Sequence, residues 1–245
     1  MFEDRFDGAA LDERVWLPAY LPAWSSRSAA AANFALDDRG LRLSIPPGQP
    51  LWCPDTHPDP PLNVSAVQSG NWSGPVGGTR GQQPFCEGLR VREAQERFEG
   101  FVPHFGRIEV ECAADIGPDA MWSAWLIGFE DEPERSGELC LVEVFGDAPA
   151  AVGSGVHAFR NPALREEFGV LDLGIDVREQ HLYAVDWRED GVEFLVDGEV
   201  VRRSAQSPGY PMQLEIAVFE FPGRAPRTRP PELLVRRVSG RPGLA

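Results

Sequence analysis

The sequence predicts an all-β fold for this 245-residue chain, and three observations carry that expectation. Twenty-five glycines and 23 prolines punctuate it too densely for long helices. No useful window places apolar residues at the spacing of an amphipathic helix. Short runs rich in β-branched and aromatic residues recur instead between turn signals, as strands do.

In chain order the candidate strands are LRLSI (41–45), GRIEVECA (106–113), MWSAWLIGF (121–129) and GELCLVEVF (137–145). HLYAVDW (181–187), VEFLVDGEVVRRS (192–204), MQLEIAVFEF (212–221) and ELLVRRV (232–238) follow. Within the second of these, Asp197-Gly198 is a two-residue hairpin signal between apolar runs, so antiparallel neighbours are expected. Residues 46–98 are rich in Pro, Gly, Ser, Asn and Asp and carry Trp52 and Trp72. Long irregular segments with aromatic content read as functional loops, here expected to rim a cleft.

Length and an even composition support one domain spanning residues 1–245. The 38 acidic against 23 basic residues, all arginine, give a formal charge of −15. Long-range repulsion then disfavours nucleic acid and anionic membrane surfaces as partners and leaves neutral ligands open. No basic-then-apolar leader and no membrane-length apolar run is present. The expected location is the cytoplasm for the chain as written, or outside the cell if this is the mature form of a secreted protein. Cys53, Cys86, Cys112 and Cys140 lack paired spacing and are expected as reduced thiols. Cys53-x-x-x-His57 offers two ligands without a second pair, so no metal and no cofactor is expected.

The informative segment is Glu138-Leu139-Cys140-Leu141-Val142-Glu143. Strict alternation puts Glu138 and Cys140 on one face and aims Glu143 into the core, where an unpaired carboxylate is very costly. A β-bulge at Leu141-Val142 resets the alternation and returns Glu143 to the face of Glu138. Two carboxyls about 5 to 5.5 Å apart are what a retaining glycosidase uses. Four effective steps on a straight strand separate the Cα atoms by about 13 Å, so curvature and leaning side chains must close the gap. On spacing alone, two glutamates on a solvated face is the competing explanation.

Those six residues resemble the E-x-D-x-x-E signature of glycoside hydrolase family 16. Flanking segments are similar in the family's order: FEDRFDGAALDERVW (2–16), FGRIEVECAADIG (105–117), MWSAWLIG (121–128) against W-P-A-x-W, HLYAVDWREDGVEFLVDGEVV (181–201) and MQLEIAVF (212–219). The resemblance implies a β-jelly roll sandwich of two antiparallel sheets, of the concanavalin A-like lectin and glucanase type. It implies a polysaccharide or oligosaccharide substrate, β-1,3- or mixed-linkage glucan by family habit. Glu138 takes the nucleophile's position and Glu143 that of the acid/base.

The departures matter as much. Cys140 stands where the family usually has aspartate, replacing a strong hydrogen-bonding group beside the nucleophile by a weak one. Trp122 matches the family's first tryptophan and is expected to stack on a sugar, with Trp125 in the core. Trp72 is either a sugar platform or a loop anchor. His157 resembles a cleft-facing histidine, with a structural role as the alternative; His181 is expected to be structural. Glu215 replaces a common asparagine and adds charge, and Arg236 replaces an acidic residue of a calcium site, so no bound calcium is expected. Three functions follow: an endo-acting retaining glycosidase, a carbohydrate-binding protein without turnover, and glycosyl transfer through the same intermediate.

Overall fold

The structure, a computed structural model, describes residues 1–56 and 59–242. Strands β1 (Phe2–Asp4), β2 (Phe34–Asp37), β3 (Gly40–Ser44), β4 (Asn63–Gln68) and β5 (Gly70–Asn71) come first. They are followed by β6 (Phe98–Glu99), β7 (Gly106–Asp115), β8 (Ala120–Gly128), β9 (Glu138–Phe145), β10 (Ala151–His157) and β11 (Glu167–Asp172). The last are β12 (His181–Arg188), β13 (Gly191–Val196), β14 (Glu199–Ser204), β15 (Met212–Glu220) and β16 (Glu232–Arg241). Among the described residues the helical content is one 3-10 turn, Pro22–Trp24, and no helix is long and apolar enough to cross a membrane.

Two antiparallel sheets stack as the expected β-jelly roll sandwich. One has the order β14-β13-β12-β7-β16-β3-β2, with β1 also on β16; the other has the order β11-β10-β9-β8-β15-β4. Their facing sides share a core of Ile108, Val110, Leu126, Leu139, Leu141, Val142, Val185, Ile216 and Val235. Asp197 and Gly198 both take positive φ, 51° and 86°, which matches the twist of the tight β13-β14 hairpin.

The six-stranded sheet buries its second face as well, over half its width. Loop residues Leu17, Leu21, Trp24, Trp52, Leu89 and Val91 cover Trp125, Ile127, Ala217 and Phe219 there and form a second apolar cluster. Residues 46–98 therefore do more than rim a cleft: they roof the β4-β15-β8 half. A strand covered on both faces loses its polar alternation, as NVSAVQ of β4 and MQLEIAVFE of β15 do, each buried throughout. That is why β4 is not apparent within its proline-rich surroundings. The other half of this face, over β10 and β11, stays open, and β11 is exposed or half-buried along its length.

Trp122 is corrected by this architecture. It lies fully buried in the inter-sheet core, edge-on to Tyr183 of β12 at 5.4 Å, where no sugar reaches it. Trp125 is buried as expected, but in the second cluster on the opposite face. Alternation fixes that the two tryptophans oppose each other; the pairing of Trp125 with Cys140 decides which of them joins the face of the acids.

Removing the Trp122 ring leaves a large core void. Trp122→Ala is expected to lose about 3 to 5 kcal/mol of unfolding free energy, measured by urea denaturation, with Trp122→Phe losing less. Unchanged stability together with lost glycan binding would return Trp122 to the binding face.

Candidate active site

The site begins with a register shift. On β8, Ala124 pairs with Val142 and the next residue, Trp125, pairs with Cys140, so Leu141 has no partner of its own. On the other side Gly153 faces Glu143 and Gly155 faces Cys140: two steps on β10 span three on β9. The extra residue is the bulge that the glutamate spacing requires. Leu139, Leu141, Val142 and Val144 all point into the inter-sheet core, and Glu138, Cys140 and Glu143 take the other face. Glycines opposite the bulge allow it. Gly155 has φ 137°, and a Cβ there would meet the Glu167 carbonyl oxygen at 2.3 Å.

Three cross-strand rows result. His157, Glu138, Ile127 and Gln213 form the first; Gly155, Cys140, Trp125, Glu215 and Gln68 the second; Gly153, Glu143, Ser123 and Ala217 the third. The catalytic candidates thus sit at the border between the roofed and the open half. A separate cavity of about 480 Å³, lined by Trp16, Leu17, Arg27, Arg97 and Phe98 among others, holds none of these groups.

Charge dominates the chemistry of the border. Burial pushes Glu138 well above the ordinary carboxyl range, and the neighbouring charges of Glu143, Glu215 and Glu166 push the same way. Burial also raises Glu143, with His157 opposing. Two coupled carboxyls lose their protons as a pair, and the first proton lost leaves one negative charge between them. His157 Nε2 lies 3.9 Å from Glu138 Oε1, while its Nδ1 is 2.6 Å from Glu166 Oε1. Glu166 so orients the ring that Nε2 addresses the acid. Cys140 is a neutral thiol: burial first, then Glu138 and Glu143, hold it far above the usual thiol range. Ser123 donates to the Val142 carbonyl at 2.8 Å and reaches Cys140 Sγ at 3.9 Å.

Glu215 is a third carboxyl on this face and is fully buried. Gln83 and Gln213 donate their Nε2 groups to its Oε1 at 2.6 and 2.7 Å, and Gln68 approaches at 3.5 Å. Among the described residues its Oε2 is buried without a partner, and so are Trp125 Nε1 and Gln213 Oε1 beside it. Burial pushes Glu215 up to about 8, so it is mostly neutral at pH 7, not the added charge that its substitution for asparagine suggested. Tyr20 closes over this corner, edge-on to Trp125 and Phe219 at 6.5 and 5.3 Å, its phenol raised by burial and then by Glu215 and Glu138.

Of the residues singled out by sequence, Glu138, Cys140, Glu143 and His157 come together. Trp72 joins at one remove: its backbone N–H donates to Gln82 Oε1 at 3.0 Å, next to Gln83, and Arg80 covers its ring at 5.3 Å. His181 lies on the other sheet, its ring bound to Asp197 and to the Asp176 carbonyl. Cys53 is buried, and His57 lies outside the described residues. Sequence reasoning missed Tyr20, Gln83, Ser123 and Glu166. No motif marks them, and only the placement of loops and neighbouring strands brings them here.

The architecture and the carboxylate-bearing strand define a jelly roll protein of the glucanase type. Residues 100–234 match the family Glycosyl hydrolases family 16, and the chain belongs to it. The Crh-like protein CRH11 of Candida albicans is 28% identical over 117 residues, 47% of this chain and 24% of that protein. The GlcNAcα1-4Gal-releasing endo-β-galactosidase of Clostridium perfringens superposes with a TM-score of 0.83 at 21% identity, covering 97% of this chain and 61% of the other. The laminarinase of Flavobacterium sp. UMI-01 gives 0.67 at 15% identity, with 97% of each chain covered. This chain therefore spans about a quarter of the curated relative and about three-fifths of the galactosidase chain.

Glu215 makes a pH prediction. A carboxyl that holds its proton more tightly in the folded state stabilises the fold in acid: the contribution is complete below 4.5 and is lost as pH rises through about 8. Urea midpoints should fall from about pH 5 to about pH 8.5 in the native sequence and fall less in Glu215→Gln. Parallel curves for the two would show that Glu215 ionises as freely in the fold as outside it.

Proposed function

We propose that this protein cleaves β-glycosidic bonds of a polysaccharide or oligosaccharide with retention of configuration, Glu138 acting as nucleophile and Glu143 as acid/base. The observation that carries the reading is the bulge, which turns both carboxyls and Cys140 to one face of the sheet, beside the edge strand β11. In the first step the Glu138 carboxylate attacks the anomeric carbon while the bond to the leaving oxygen breaks and that oxygen takes the Glu143 proton. In the second, Glu143 removes a proton from water, the resulting oxygen attacks the same carbon, and the ester to Glu138 breaks. A sugar hydroxyl taking the place of water yields transfer instead of hydrolysis.

The reactive form has one charge on the pair, on Glu138. Burial raises the proton affinity of both glutamates, and at Glu138 the charges of Glu143, Glu215 and Glu166 add to it, which favours one proton held by the pair; the first step requires that proton on Glu143. His157, facing Glu138 with Nε2, supports placing the remaining charge on the nucleophile. For substrate we propose a β-1,3- or mixed-linkage glucan, a reading supported by the laminarinase likeness. The likeness to an endo-β-galactosidase adds β-galactoside-containing glycans to the test panel. A second reading, glycan binding without turnover, is favoured by one feature: Cys140 is a neutral thiol where a carboxylate is usual, leaving Glu138 a weak hydrogen-bond partner.

Reducing-end release from laminarin, lichenan and a β-galactan tests the reading. Glu143→Gln should lower kcat by about 10²- to 10⁴-fold on an unactivated glycan, and Glu138→Gln should leave no turnover above background. The β-anomer should appear first in the proton spectrum of the products. Equal trace activity in the native protein and Glu138→Gln excludes catalysis here, and calorimetric binding without turnover then supports the second reading. Cys140→Asp should raise kcat and shift the acidic limb of the pH profile; unchanged kcat would show that the thiol is not what limits the site.

A further inference from the structure

Past the end of the row that holds Glu138, segments far apart in sequence are tied together through a buried charge. Ile127 of β8 and His157 of β10 flank Glu138 on its two sides. Three residues beyond Ile127 lies Glu130, and three beyond His157 lies Arg160. The Arg160 guanidinium meets Glu130 Oε2, and the Gln83 backbone N–H donates to Glu130 Oε1 at 2.6 Å. Gln83 belongs to the roof and lies outside any strand, so a side chain holds the N–H that a ladder would otherwise hold. Its carboxamide in turn donates to Glu215 Oε1 at 2.6 Å. A continuous chain of contacts thus runs from the turn after β10 to the polar corner, through Arg160, Glu130 and Gln83 to Glu215.

Both ends of this chain are anchored. The Glu130 side chain is 2% exposed, and a carboxylate so buried needs a partner that supplies both charge and hydrogen bonds. Arg160 is set from the strand of the paired acids: its N–H donates to Ser136 Oγ at 2.9 Å. Beside it Asn161 Nδ2 donates to the Tyr210 hydroxyl at 2.9 Å, and that hydroxyl accepts the Gly137 N–H at 2.7 Å. Ser136 and Gly137 lead directly into Glu138. On the roof side Trp24 Nε1 donates to the Gln82 carbonyl at 2.6 Å, and a Cβ on Gly81 would meet the Trp24 ring at 2.8 Å. Arg80 of the same loop also reaches the Asp131 carbonyl, but from the exposed side. Gln83, Glu130 and Phe159 have φ 46°, 56° and 43°, three of the seven left-handed non-glycine residues among those described. Backbone strain gathered along one chain of contacts beside paired acids points to a geometry held for use.

We propose that Arg160 and Glu130 are positioning residues for the reaction: their ion pair holds Gln83 against Glu215 and so fixes the polar corner next to Glu138. The inference rests on the glycosidase reading and deepens it, because the two residues act through Gln83 and not on the reacting atoms. A roof loop released from its anchor shifts, and a displacement of about 1 Å near reacting groups can cost about 10²-fold in rate. Gln83 also leaves a mark on its neighbour. Burial raises the proton affinity of Glu215, and the Gln83 hydrogen bond to the charged form works against that rise. Glu138 of β9 and Tyr20 of the roof are the other titratable groups close to Glu215, and Gln68 and Gln213 are the other amides at its Oε1.

The test replaces the pair by apolar side chains. Exchanging a buried ion pair for apolar residues of similar volume often leaves stability unchanged, so Glu130→Met with Arg160→Met removes the anchor and keeps the fold, which the urea midpoint checks. On whichever of laminarin, lichenan and the β-galactan the native protein cleaves, this double variant should lose about tenfold in kcat with KM within about twofold. Gln83→Ala should lose as much, and the three changes together no more than either, because the pair acts through Gln83. With carbon-13 in the glutamate carboxyls, and the Glu215 signal assigned by its loss in Glu215→Gln, the Glu215 titration should move to higher pH in the double variant. That titration is read on folded molecules and holds even if the midpoint falls. Native kcat in the double variant, or an unmoved Glu215 titration, overturns the positioning role and leaves the glycosidase reading intact. Losses that add when Gln83→Ala joins the double variant overturn it as well, since the effect then bypasses Gln83. A native protein that cleaves no glycan overturns the glycosidase reading, and the titration alone then decides whether the pair holds Gln83 on Glu215.

Discussion

One extra residue in β9 supports everything that follows. Without the bulge at Leu141-Val142, Glu143 would enter a core lined by Leu139, Val144, Val152 and Val156, and the second acid would be lost to the face that carries the first. The bulge is made possible across the ladder. Gly155 supplies the φ of 137° and the empty Cβ position that close approach to Glu167 needs, and Gly153 leaves room for Phe168. The strand of the paired glutamates is therefore shaped in part by residues that carry no chemistry of their own. A side chain at Gly153 would meet both the Glu143 backbone and the Phe168 ring.

The same face shows how burial, more than contact, sets reactivity. Glu138, Cys140, Glu143 and Glu215 share it, and no arginine or lysine neutralises them in the three rows. Desolvation favours the neutral form of all four, and repulsion from neighbouring acids adds to it at Glu138 and Cys140. Glu215 shows how burial alone does this. Two close carboxamides donate to one oxygen, the other has no partner, and the group remains mostly protonated near neutrality. Arginines nearby are engaged elsewhere: Arg160 with Glu130, and Arg97 with Glu99 and Asp131.

The two halves of the face divide the work. Loops roof the β4-β15-β8 half with Trp24, Trp52 and Tyr20, and rigid packing there holds the polar corner around Glu215. The β10-β11 half is open and apolar, suited to a ligand that arrives from solvent. The fold itself recurs in solved structures at 15% to 21% identity. The sandwich depends on a generic apolar pattern, and a fold of this kind leaves function to the side chains that its open face presents.

Much of this could be read in the amino-acid order, for a local reason. Strand periodicity, the Asp197-Gly198 turn and the five-residue interval between Glu138 and Glu143 are properties of short stretches, and the cost of a buried charge is enough to require the bulge. Alternation likewise sets Trp122 and Trp125 on opposite faces. Which face each takes was decided by register, because pairing of Trp125 with Cys140 is a relation between strands that no single strand encodes. The polar corner was out of reach in the same way. Gln83 and Glu215 are 132 positions apart, and Gln68 and Glu215 are 147 apart. Strands β4 and β11 were hidden for opposite reasons: the first is buried on both sides and loses its pattern, and the second lies at a sheet edge, exposed or half-buried along its length.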